Sequence, residues 1–249
     1  SMDWRLDKDS VSGTTMNDCS NPALYDNSTK RISLAKCLAK DFVDSVLAGN
    51  QTKCPRGTVK GNRVALVSFG TNANDIDSVS LTDNLSRLMN AMNTYSANLD
   101  ATCLSCAINK GWEMLNNQSD ASRAKYVVVM TDGIPTRRST PTCSGTYMGN
   151  LTKGISCGDS VAESLKLSQS YPALNANYSA YRIARDFKGM KNVTIDSVGF
   201  GPVSNPSRVL ARETLQAVAA TGSGKYYASS DALDLQKIYC QIAENVNTR

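Results

Sequence analysis

Three short apolar runs constrain this chain more than any other feature. Residues 62–69 (NRVALVSF) and 126–131 (YVVVMT) are rich in hydrophobic side chains, and 193–199 (VTIDSVG) places Val193, Ile195 and Val198 among small polar ones. A strand with helices on both faces reads this way, because neither side meets water. The stretches between them have helical period. Ile32, Ala35, Leu38, Ala39, Phe42, Val43 and Val46 form one stripe, so the spacing predicts a helix over 31–48, ended by Gly49 and Asn50. Leu85, Leu88, Met89 and Met92 predict a second helix. Residues 102–116 predict a third, with Leu104, Ile108, Met114 and Leu115 as core positions. Further helices are expected near 176–189, at 206–220 and at 231–246, a short half-exposed strand around Val79 and Leu81, and a strand at 224–228. Strands alternating with helices predict an α/β fold, its central sheet mainly parallel and covered on both faces. No linker divides the chain. It reads as one domain over 1–249, with polar, turn-rich segments at 3–30 and 134–175 as loop insertions.

Several function classes drop out. No run approaches the roughly 18 apolar residues of a membrane span. No leader peptide is visible, so any export signal is expected upstream or already removed. The net charge of +5 is scattered, and Thr136-Arg137-Arg138 is too short for a nucleic-acid patch. The chain has no histidine, which excludes Ser-His-Asp and Cys-His catalysis. Gly199-Phe200-Gly201 and Gly224-Lys225 lack the remaining residues of nucleotide-binding loops.

The eight cysteines point to an oxidising compartment. Seven Asn-x-Ser/Thr sequons, at Asn27, Asn50, Asn84, Asn117, Asn150, Asn177 and Asn192, suit a secreted surface. Cys143 and Cys157 bracket a loop with little core of its own and are expected to be joined. Cys103 and Cys106 are expected to find partners elsewhere, among Cys19, Cys37 and Cys54. The other reading of Cys103-Leu104-Ser105-Cys106 is a redox pair at a helix start, where a thiol pKa falls. The polar segment before it is not the strand such an enzyme needs.

In open α/β sheets ligands bind beyond the carboxyl ends of the strands. That rule selects Asp132, directly after the run ending in Thr131, and Thr102, which opens a helix. Without histidine, a metal here would be a hard cation (Mg²⁺, or Mn²⁺ or Ca²⁺) held by carboxylate, hydroxyl and water. The plainer readings are a turn-forming Asp before Gly133 and a helix-capping Thr.

Val127-Val128-Val129-Met130-Thr131-Asp132-Gly133 resembles the fourth strand and T-D-G turn of von Willebrand factor type A domains. Arg63 to Gly70 resembles their second strand and Val193 to Gly201 their fifth. Thr102, standing before Ala107-Ile108 and a helix, resembles their lone metal-site threonine. Ala217 to Val246 is similar to the C-terminal end of bacterial, pilus-associated members. The resemblance covers residues 31–249. It implies a Rossmann-like, disulfide-stabilised fold without catalysis, at the cell surface or outside the cell. It also implies an adhesion site in which a divalent cation on Thr102 and Asp132 takes an acidic group from a protein or host-surface ligand. Other subunits of a pilus or surface assembly are further expected partners. An alternative is a structural module of such an assembly with an inactive metal site.

The departure lies at the N-terminus. The family's buried first strand ends in D-x-S-x-S, and residues 3–16 hold no apolar run able to form it. Ser1-Met2 reads either as the tail of that motif, which would make Ser1 a third metal residue, or as a cloning remnant. The expectation is a strand supplied from outside these residues, upstream or by another subunit, between those at 62–69 and 126–131. Asp132, read as a surface carboxylate, is expected to matter for binding and little for stability.

Overall fold

A computed structural model describes residues 2–5, 7–8, 10–47, 61–70, 78–96, 102, 104–118, 120, 122–132, 193–201, 209–229 and 231–247. Five helices lie among them: α1 (Arg31–Leu47), α2 (Leu85–Thr94), α3 (Leu104–Gln118), α4 (Val209–Thr221) and α5 (Ala232–Asn247). The strands are β1 (Val64–Val67), β2 (Ser78–Thr82), β3 (Lys125–Thr131), β4 (Val193–Phe200) and β5 (Ser223–Ser229). Nearly every element stands within a few residues of its expected place. The helix expected near 176–189, the insertion at 134–175 and the Cys143–Cys157 pair lie outside the described residues.

β3, β4 and β5 form one parallel sheet in that order, with Val127 opposite Ile195 and Val129 opposite Ser197. Alternation along β3 serves both faces. Val128 and Met130 pack with Leu34 and Leu38 of α1 and Leu235, Tyr239 and Ile242 of α5. Val127 and Val129 pack with Leu104 and Ile108 of α3 and Leu215 and Val218 of α4. Tyr226 and Tyr227 divide the same way, one to each face. Burial holds the phenols of both above the usual tyrosine range, most strongly at the wholly buried Tyr239, whose hydroxyl meets Met130 Sδ.

β1 departs from expectation. The runs at 62–69, 126–131 and 193–199 were expected in one parallel sheet, but β1 belongs to a separate two-stranded sheet and pairs antiparallel with β2. Its start lies near that of β3. Arg123, just before β3, donates from Nη2 to the carbonyl of Gly61, just before β1, so both strands start at the same edge. Helices clamp the two sheets together. The first half of α1 covers β3 and β4, and its second half, through Val43, packs with Val64, Leu66 and Val79. On the opposite face, α3 touches β1, β2 and β3. Among the described residues no strand lies between β1 and β3, and residues 3–16 do not fill that place.

Residues 3–30 are more than a surface loop. Trp4 bridges Ser12, Arg5 bridges Lys30, and Thr14 bridges Thr29. The 3₁₀ turn Pro22–Tyr25, capped by the Asn21 side chain, puts Leu24 fully into the core beside α1. Cys19 and Cys37, expected as partners for Cys103 and Cys106, are bonded to each other and fasten this segment to α1. Wrapping explains why α1 buries Leu34 and Cys37 beyond its expected stripe. Cys106 and Cys240 are each in a disulfide as well. The Cys19–Cys37 bond closes a separation of 18 residues, so Cys19→Ser is expected to cost about 3 kcal/mol in the chain-entropy view. Urea unfolding under oxidising conditions measures it.

The turn from α4 into β5 is built for close approach. A Cβ on Gly222 would lie 2.3 Å from Ile195 Cβ, and one on Gly224 would lie 2.1 Å from the Ile195 carbonyl oxygen. Here Asp196 Oδ1 accepts the Lys225 N–H at 2.7 Å, and the β4–β5 register is irregular between Ile195 and Ser197. Gly222→Ala is expected to cost about 1–3 kcal/mol by overpacking the fully buried Ile195, read as a lower melting temperature with unchanged circular dichroism.

Candidate functional site

The carboxyl ends of β3, β4 and β5 make one edge. β3 stops at Thr131 and delivers Asp132. β4 runs into Gly201, whose N–H reaches the Ser229 carbonyl at 3.2 Å. β5 stops at Ser229, and Asp231 then caps α5 by accepting the N–H groups of Leu233 and Asp234. The N-terminal segment arrives at the start of α1. The Met2 carbonyl accepts the Ile32 N–H at 2.9 Å and the Trp4 carbonyl accepts the Arg31 N–H at 3.1 Å. Two donors of the helix start, which usually find a capping side chain, are thus satisfied by backbone.

Arg31 crosses from α1 to the end of β3. Its Nη1 donates to Asp132 Oδ2 at 2.9 Å, and the two side chains are 0% and 4% exposed. The guanidinium carbon lies 5.7 Å from the Trp4 ring centroid, within cation–π range. Burial leaves each charge dependent on the other, since neither keeps its hydration. This corrects one expectation: Asp132 is not a surface carboxylate but 5% exposed and ion-paired.

Of the three residues expected on a metal, Asp132 stands at the edge and Thr102 is half-buried, two residues before α3. Ser1 lies outside the described residues, while Met2 beside it is anchored at the start of α1. A divalent ion of the expected kind needs several hard oxygen ligands. Among the described residues no three Asp, Glu, His or Cys side chains gather where an ion could be held. The carboxylate expected to hold it is already neutralised by Arg31. With Arg31 paired to it, Asp132 does not fit such a cation.

Sequence reading missed Arg31 and Trp4. One signal was present: Arg31 opens α1, where the helix dipole disfavours a cation. An arginine at that end needs an anion from elsewhere, and Asp132 supplies it.

A twisted parallel sheet between helices, with its candidate site at the carboxyl edge, is here the von Willebrand factor type A fold. The family model of the von Willebrand factor type A domain matches residues 18–134. Among solved structures, the chain is similar to the pilus adhesin SpaC from Lactobacillus rhamnosus GG (15% identity, TM-score 0.61, covering 90% of this chain and 29% of that one). It is also similar to the vWF domain of the type V pili tip protein Mfa5 from Porphyromonas gingivalis (14% identity, TM-score 0.61, 91% of both chains). A third similar structure is the PilB minor pilin from Streptococcus sanguinis (15% identity, TM-score 0.59, 99% of this chain and 58% of that one). The chain therefore spans less than a third of SpaC and little more than half of PilB. At these identities the likeness is one of fold. No curated protein matches the sequence. Among the described residues no helix is long and apolar enough to cross a membrane.

Proposed function

We propose that this chain is a non-catalytic recognition module of an extracellular or cell-surface assembly, and that it meets a protein or host-surface ligand at the carboxyl edge of β3–β4–β5. The observation that carries the reading is the convergence there of Trp4, Arg31 and Asp132 from segments far apart in sequence. The similar solved structures are described as a pilus adhesin, a pilus tip protein and a minor pilin, which supports a place among pilus or surface subunits.

The resemblance adds a divalent cation, Mg²⁺ or else Mn²⁺ or Ca²⁺, on Asp132, Thr102 and Ser1, bridging to an acidic group of the ligand. The Arg31–Asp132 pair favours the other form of the same module, in which the edge serves assembly or recognition with no metal. A photo-crosslinking residue at position 233, the exposed start of α5 beside this edge, should capture a partner from intact cell surfaces. The same residue at position 123, at the amino edge, should not. Equal capture from both edges would count against the reading. Complete resistance of the native chain to thiol alkylation is expected as well; a reactive thiol at Cys103 or Cys106 would favour the redox alternative.

A further inference from the structure

We propose that Arg31 is a positioning residue that does for Asp132 what a bound divalent cation would otherwise do, so that this edge is organised by an internal guanidinium and is indifferent to metal. A buried carboxylate must be neutralised and hydrogen-bonded to persist. Here the neutralising group is covalently part of α1 and wholly buried, and Trp4 holds it twice, through its carbonyl on the Arg31 N–H and its ring beside the guanidinium. Such a cation loses nothing to dilution. A second, doubly charged ion on the same carboxylate would stand against an unscreened positive charge in a low dielectric. The position of Arg31 has the same explanation. A cation at the first residue of a helix faces the positive end of the dipole, and the pairing with Asp132 offsets that cost.

Because Arg31 binds both Asp132 and Trp4, the edge and residues 2–5 are coupled through one side chain. The geometry of the edge is therefore set when the N-terminal segment docks on α1, not by the ionic composition outside.

The test uses no ligand, so it stands or falls apart from the adhesion reading. Melting of the purified chain is followed in chelator and in millimolar Mg²⁺ or Mn²⁺, with Mn²⁺ binding measured by calorimetry. The wild type should show no metal-dependent shift and no binding heat. Arg31→Gln should melt lower, and Mn²⁺ should restore part of the loss, since the carboxylate then lacks its cation. Arg31→Gln/Asp132→Asn should not respond to Mn²⁺. Arg31→Lys, which keeps a charge, should remain indifferent to metal. If Arg31→Gln does not fold, the double variant should, because no unpaired charge is left. A rise in wild-type melting temperature with Mg²⁺ would overturn the proposal. So would an Arg31→Gln protein that folds but ignores Mn²⁺, or failure of both the single and the double variant to fold.

Discussion

Asp132→Ala should unfold with about 3–5 kcal/mol less stability than the wild type. In a domain of this size that lowers the melting temperature by about 10 °C. The substitution removes the carboxylate that neutralises Arg31, a side chain with no exposure of its own. The guanidinium cannot turn to solvent without leaving Trp4 and the start of α1, so the cost falls on the folded state. A turn-forming aspartate on the surface would lose only a few tenths of a kcal/mol on the same change. Chemical denaturation with an unchanged m-value separates the two cases.

A second large effect is expected at β1 and β3, which begin near each other but lie in separate sheets. Joining an apolar strand of six to eight residues ahead of Ser1 should slow amide exchange at 64–67 and 125–131 by orders of magnitude. It should also raise the melting temperature by more than 10 °C. The side chains support this. Val64, Ala65, Leu66 and Val67 are only half-buried, as are Val127 and Val128, although α1 and α3 cover both sheets from opposite faces. A strand laid against them would bury those side chains further and add ladder hydrogen bonds. Met2 is held at the start of α1, beside the residue that grips the end of β3, so a strand joined upstream would be tethered near the carboxyl end of β3. A free peptide of the same sequence should act more weakly, because it lacks that attachment. Unchanged exchange at both strands in the fused protein would contradict the expectation.

The sheet was legible because β3 carries an uninterrupted apolar run, β4 carries Val193, Ile195 and Val198, and the helices carry stripes. Val127 to Met130 has no other use than burial on two faces, and Leu104 and Ile108 at helical spacing are core wherever the helix lies. The N-terminal segment was not legible for an equally physical reason. Its structure rests on backbone bridges, a carbonyl-capped helix start and the Cys19–Cys37 bond, none of which needs an apolar pattern. β1 read correctly as a strand, but its neighbours depend on chain paths that local sequence does not encode. At the candidate site, the strand-end rule found Asp132, because position after a strand is a local property. Its partner lies 101 residues away, and nothing near Asp132 announces it. The dipole-opposed Arg31 was the one local clue.

Asp132 is held by Arg31, and a double-mutant cycle on unfolding free energy measures that hold. Arg31→Met and Asp132→Leu should each be strongly destabilising, while the double variant recovers most of the loss, because buried apolar side chains can replace a buried ion pair at little cost. A coupling of at least about 2 kcal/mol is expected. Losses that add to within about 0.5 kcal/mol would show two independent sites and contradict it.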